Sequence, residues 1–180
     1  MLTITVPGIE LFNSETQTFS YSEPVVLELE HSLVSLSKWE SKWNLPFLGR
    51  DEKTDEQIID YIRLMAQNEV DDSVFRRLSN ENYEAIKDYL NSKQTATWFR
   101  EEPNKPVSRE IVTAEIIYYW MISLQVPREY ELWHLSKLFT LIRVLNQKNQ
   151  PKKKPGNTQS AAAQRRALNE ARQKQYNTTG

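Results

Sequence analysis

The chain contains no cysteine. That rules out disulfides, thiolate catalysis and every zinc or iron–sulfur site built on Cys ligands. Glycine is nearly as scarce, with only Gly8, Gly49, Gly156 and Gly180 in 180 residues. A phosphate-binding loop, a dinucleotide fingerprint and a nucleophile elbow each need two or more glycines at fixed short spacing, and these four cannot supply them. There are only two histidines, His31 and His134. Long apolar runs are missing too. The longest, Ile116–Ile122 (IIYYWMI), has seven residues, whereas a membrane span needs roughly 20, so it predicts a buried core segment and no membrane partner. The start, MLTITVPGIE, has neither the basic nor the apolar stretch of a signal peptide.

Aromatic residues are plentiful: five Trp, eight Tyr and six Phe, enough for a substantial core. The net charge of −1 conceals a division. Residues 1–150 hold 16 Lys and Arg against 23 Asp and Glu, while residues 151–180 hold seven against the single Glu170. The chain thus reads as an acidic α+β domain over 1–150 followed by a basic linker and tail over 151–180. Pro151, Lys152-Lys153-Lys154 and Pro155 mark the break. Beyond it, SAAAQRRALNEARQKQ has strong helix formers and few large apolar side chains, so a flexible tail is expected, helical or disordered until a partner binds.

Residues 1–31 carry β signals. LTITV and VVLELE are separated by turn residues, and Leu27 and Leu29 alternate with Glu28 and Glu30 as in a half-buried antiparallel hairpin or small sheet. From residue 32 to 150 the period becomes helical. Leu36, Trp39 and Trp43 share one face. Thr54 stands three residues before Gln57, a capping-box spacing, and Ile58, Tyr61, Ile62 and Met65 follow on one stripe. A further amphipathic helix turns Tyr83, Ile86 and Leu90 inward. EEPNKPVS reads as a loop. Ser108 is positioned to cap a helix from Arg109 to about Gln125 that is apolar almost all round, which predicts a buried centre; Pro127 then opens a second helix, Arg128 to about Gln147. The two form a central αα-hairpin in a mainly helical bundle.

Candidate chemistry is thin. His31 near Glu28 and Glu30 suggests a metal site, but strand alternation points it away from both carboxylates. Glu131-x-x-His134 on a helix is half of a di-iron motif that needs the motif on two helices and a Glu from each of two others, whereas the other histidine, His31, sits in a predicted strand. Glu115 inside the apolar helix calls for an ion pair, with Lys137 or Arg143 as partners, ahead of any role as a base. No catalytic residue, metal or cofactor is assigned. Trp39 and Trp43 are core by default, and would mark a partner site if exposed. Lys152, Lys153, Lys154, Arg165, Arg166 and Arg172 are candidates for contacts with acidic partners. Nucleic acid is the weaker match, since Tyr176 is the one aromatic near them.

Several phrases, LELEHSLVSLSKWESKWNLPFL, TATWF, EIIYYWMISLQVPREYELWHLSKLFTLIRV and RRALNEARQKQYNTTG, resemble a family of small tail assembly chaperones of tailed bacteriophages. The likeness spans nearly the whole chain. It implies a non-enzymatic morphogenesis factor in the infected host cytoplasm that binds the tape measure protein and helps recruit tail tube protein. Absence from the finished virion is implied as well. Family members often have a frameshifted longer product; self-association is compatible with the resemblance, and no site residues carry over from it. The competing readings are a structural virion component, such as a tail or head–tail connector subunit, and a nucleic-acid-binding module acting through the tail.

Overall fold

A computed structural model describes residues 1–99, 110–149 and 158–176. The chain divides into two compact units, Met1–Asn146 and Gln147–Gly180. The first is α+β, with a small antiparallel β element preceding several helices, as the switch of period at residue 32 predicts.

The β element is one long ribbon in two stages. Strand β1 (Leu2–Val6) pairs antiparallel with β4 (Val25–Leu29), and between them β2 (Glu10–Asn13) pairs with β3 (Thr18–Tyr21). The Pro7-Gly8 step separates the stages. There the backbone passes so close to Ser22 that a Cβ on Gly8 would stand 2.0 Å from the Ser22 carbonyl oxygen, so only glycine fits. The outer stage is fastened at its base: Ser22 N–H donates to the Ile9 carbonyl at 2.9 Å, and the Arg77 guanidinium donates to Ser22 Oγ at 2.7 Å.

Helix α1 (Leu33–Trp43) starts at Ser32, whose hydroxyl accepts from Ser35 N–H, and ends at Asn44 in the left-handed region at φ 54°. Helix α2 (Asp55–Met65) opens with the capping box foreseen at Thr54 and Gln57. A 3-10 turn, Asp72–Arg77, leads to α3 (Asn80–Asn91), where Ser79 and Asn82 form a second capping box that the sequence reading missed. Then come α4 (Ala114–Ser123), a 3-10 turn Arg128–Leu132 and α5 (Leu135–Asn149).

Two apolar cores share α1 as their common wall. Ile4, Val6, Leu27 and Leu29 of the inner ribbon pack with Trp39, Tyr61, Ile62, Met65, Phe75 and Ile86 in the first. Leu33 and Leu36, also of α1, pack with Ala114, Ile117 and Met121 of α4 and with Leu135, Leu138 and Ile142 of α5 in the second. The segment that connects them is stapled on both flanks: Glu30 N–H donates to the Met65 carbonyl at 2.9 Å, and Leu135 N–H donates to the His31 carbonyl at 2.8 Å.

Three expectations change. Helix α4 begins at Ala114, because Glu110–Thr113 is not helical; Ser108 and Arg109 lie outside the described residues, as does the EEPNKPVS segment. Thr113 gives no side-chain cap. Instead the buried Glu40 carboxylate of α1 accepts from Ala114 N–H at 2.7 Å through one oxygen and from Phe47 N–H at 2.9 Å through the other. A charge donated by a distant helix thus satisfies one of the orphan donors of α4 and complements its dipole. Second, α4 is not buried all round. Ile122 is 77% exposed and Tyr119 is exposed, while Ala114, Ile117 and Met121 face inward. Glu115 is exposed too, so its carboxylate is solvated and needs no ion pair. Third, Pro127 opens a 3-10 turn only, and α5 starts at Leu135.

In the second unit α6 (Thr158–Tyr176) is helical, and every side chain of α6 whose exposure is described lies open to solvent. The break segment 150–157, including Lys152, Lys153 and Lys154, lies outside the described residues. Among the described residues no helix is long and apolar enough to cross a membrane.

Candidate functional site

Helices α2 and α3 and the segment following Pro46 enclose an apolar groove of about 420 Å³. The period-3.6 stripe that buries Tyr61, Ile62 and Met65 leaves Ile58 at the edge of the helix, 40% exposed and lining this groove. Ile86 and Leu90 line it from α3, and Phe47 forms the end wall, stacked on Tyr61 with ring centroids 3.7 Å apart. The rim alternates charge: Asp51, Glu52 and Glu84 with Lys53 and Lys87. Lys53 Nζ is held by the Gly49 and Asp51 carbonyls at 3.0 and 2.9 Å and lies 5.7 Å from the Phe47 ring centre. The result is an apolar slot with a hydrated lip, suited to an aliphatic or aromatic side chain of a partner.

The Trp39–Trp43 pair is not exposed, so the default reading holds. Trp39 is fully buried, and its indole N–H donates to the Gln57 carbonyl at 2.9 Å. Trp39 is therefore a core residue that no partner can touch. Trp43 is half-buried and donates to Asp60 Oδ2 at 2.9 Å, while Lys42 reaches Asp60 Oδ1 at 2.6 Å. Burial pushes the Asp60 carboxyl up, but the bonds from Lys42 and Trp43 and the nearby Arg63 charge outweigh it and hold the group below the usual carboxylate range. Both indoles serve to fix α1 on α2. Arg165, Arg166 and Arg172 are exposed on α6.

The structure brings together a second group that sequence reasoning treated as two unrelated residues. His31 and His134, 103 positions apart, are both buried with ring centroids 5.2 Å apart in an edge-on arrangement. His31 Nδ1 lies 2.6 Å from Tyr61 Oη. On His134, Nδ1 accepts from Ser136 N–H at 3.2 Å, which leaves Nε2–H to donate to the Tyr89 carbonyl at 3.2 Å. The Tyr89 hydroxyl in turn donates to Glu30 Oε1 at 2.7 Å. Burial, and secondarily the neighbouring imidazole of His134, depresses His31 to about 3. Burial also lowers His134, against the opposing pull of the Tyr89 carbonyl and Glu30. Two neutral imidazoles at the junction of the two cores form a structural contact that protonation would break. The alternation of Leu27, Leu29 and His31 was the one signal that His31 faces inward.

Glu131 lies in the 3-10 turn, where it accepts from the Tyr118 hydroxyl at 3.0 Å and pairs with Arg128 at 3.2 Å. Burial and that carboxylate raise the Tyr118 hydroxyl to about 12. Glu131 and His134 thus have separate partners, and they do not share a helix as the half-motif requires. Among the described residues no group of three or more His, Asp or Glu side chains could hold a metal ion. The chain matches no protein-family profile, no curated protein and no solved structure.

Proposed function

We propose that this chain is a non-enzymatic assembly chaperone of tailed-phage morphogenesis, which holds apolar helical segments of the tape measure protein in the host cytoplasm and assists recruitment of tail tube subunits. The sequence resemblance gives the biological setting. The α2–α3 groove is the observation that supports the mode of action: an open apolar slot beside solvated charges. Seating one Leu or Phe side chain there contributes about 1.5–3 kcal/mol. Micromolar affinity needs about 8 kcal/mol, so a single anchor gives a weak, reversible hold and several along a client are needed to keep it soluble. A reversible hold suits a protein that must release its client to the growing tail and be absent from the virion.

Co-expression with a tape measure protein tests the proposal. The full chain raises the soluble fraction of the client and co-purifies with it, and mass spectrometry of finished particles finds the chain missing. An insoluble client despite abundant chain, or stoichiometric chain in the particles, contradicts it. The latter result would instead favour a structural virion subunit.

A further inference from the structure

The outer ribbon, β2 with β3, is a surface whose construction calls for a partner. An isolated two-stranded ribbon is marginally stable in water, and persists when its base is anchored or a face is covered. Here the base is anchored and the face is open. The register pairs Glu10 with Tyr21 and Phe12 with Phe19, so all four side chains lie on one face. The 4.9 Å separation of the two Phe rings and the 2.6 Å bond from the Tyr21 hydroxyl to Glu10 Oε1 confirm it. Phe12, Phe19 and Tyr21 are 56%, 61% and 74% exposed. The ribbon from Ile9 to Pro24 carries Glu10, Glu15 and Glu23 and no Lys or Arg. An aromatic face with only negative charge fits a cation-bearing apolar stripe, through cation–π contacts and charge pairing.

The same chain encodes such a stripe. On α6, Arg165, Leu168, Arg172 and Tyr176 follow at i, i+3, i+7 and i+11, which puts them on one helical face. All four are exposed. Thr158–Tyr176 carries four basic residues against Glu170, a net charge opposite to that of the ribbon. Two arginines seven residues apart are about 10 Å apart along the axis, which lets them bracket a pair of ribbon rings with Leu168 between.

We propose that the Glu10–Phe12–Phe19–Tyr21 face of one chain receives α6 of a second copy, so that the protein self-associates through its ribbon and its basic helix. Nothing in this requires a client, so it stands or falls apart from the chaperone reading.

Sedimentation velocity of the full chain over a range of concentrations tests it. The expected result is a mass above the monomer at low salt, falling toward monomer at about 1 M salt, where charges are screened beyond about 3 Å. Phe12→Ser with Phe19→Ser in one variant, and Arg165→Glu with Arg172→Glu in another, each weaken association about tenfold or more, equivalent to at least about 1.4 kcal/mol. Mixing the two variants restores a one-to-one complex, because each keeps the half that the other lacks. Circular dichroism confirms that the bodies stay folded. A monomer at every concentration overturns the proposal, as does association that neither variant weakens, or a mixture that does not recover. Monomers whose ribbon amides lose protection in the Arg165→Glu, Arg172→Glu variant overturn it too, since α6 would then act within its own chain.

Discussion

The two stages of the β-ribbon share pairing, direction and a Pro-Gly junction, yet one is core and the other is surface. In the inner stage Ile4, Val6, Leu27 and Leu29 face helices and are buried. In the outer stage Phe12, Phe19 and Tyr21 are as apolar and remain open. Strand pattern therefore indicates which side chains share a face; what covers that face depends on where the ribbon points after Gly8. Exposed aromatic area that folding leaves uncovered is available for binding.

Substitutions in the two stages should separate them sharply. Leu29→Ala removes a fully buried side chain from the first core and should cost about 3 kcal/mol in chemical denaturation. Glu40→Ala strands two backbone N–H groups, at Ala114 and Phe47, and should cost about 2–3 kcal/mol, nearly as much as a core deletion although no apolar contact is lost. Gly8→Ala forces the Ser22 carbonyl away and should strip amide-exchange protection from Glu10–Tyr21 while Leu2–Val6 stays protected. Phe12→Ser should change stability by less than about 0.5 kcal/mol, as expected of a side chain outside any core. If Phe12→Ser destabilised the chain as Leu29→Ala does, the two stages would not be distinct.

Acid probes the junction of the two cores, just beyond the inner stage. His31 binds its proton at about 3 in the fold and near its ordinary 6.5 when unfolded, so the unfolded chain takes up the proton first. Stability from this group is therefore intact above pH 6.5 and is lost as pH falls from 6.5 toward 3. The slope is about 1.4 kcal/mol per pH unit, or about 2 kcal/mol lost at pH 5. The lowered His134 acts in the same direction. His31→Gln should flatten the pH dependence of unfolding across this window, and an unchanged slope would refute the role given to the buried pair.

Local signals in the sequence were readable and distant ones were not. The Thr54–Gln57 capping box and the Leu27–Leu29 alternation each depend on residues within one turn or strand, and both stand in the fold; His31, two residues past the end of β4, is buried as well. The start of α4 was misplaced because its cap, Glu40, lies 74 residues away. Its apolar circumference suggested a buried helix, but α1 and α5 cover only the side bearing Ala114, Ile117 and Met121. The groove is half visible in the sequence: the helical period puts Ile58 and Tyr61 on one stripe of α2, but its far wall depends on how α3 and Phe47 pack there. Likewise, His31 and His134 meet only through the tertiary fold, and the local sequence around each carries no signal of the other.

The groove account is tested most directly by the soluble yield of a tape measure protein co-expressed with the wild-type chain and with its Ile58→Glu variant. Ile58 sits at the groove mouth, so a carboxylate there charges the slot and leaves the core in place. The account predicts a soluble client with the wild type and an aggregated one with Ile58→Glu, at equal levels of the folded chain. Equal client solubility with both would contradict it.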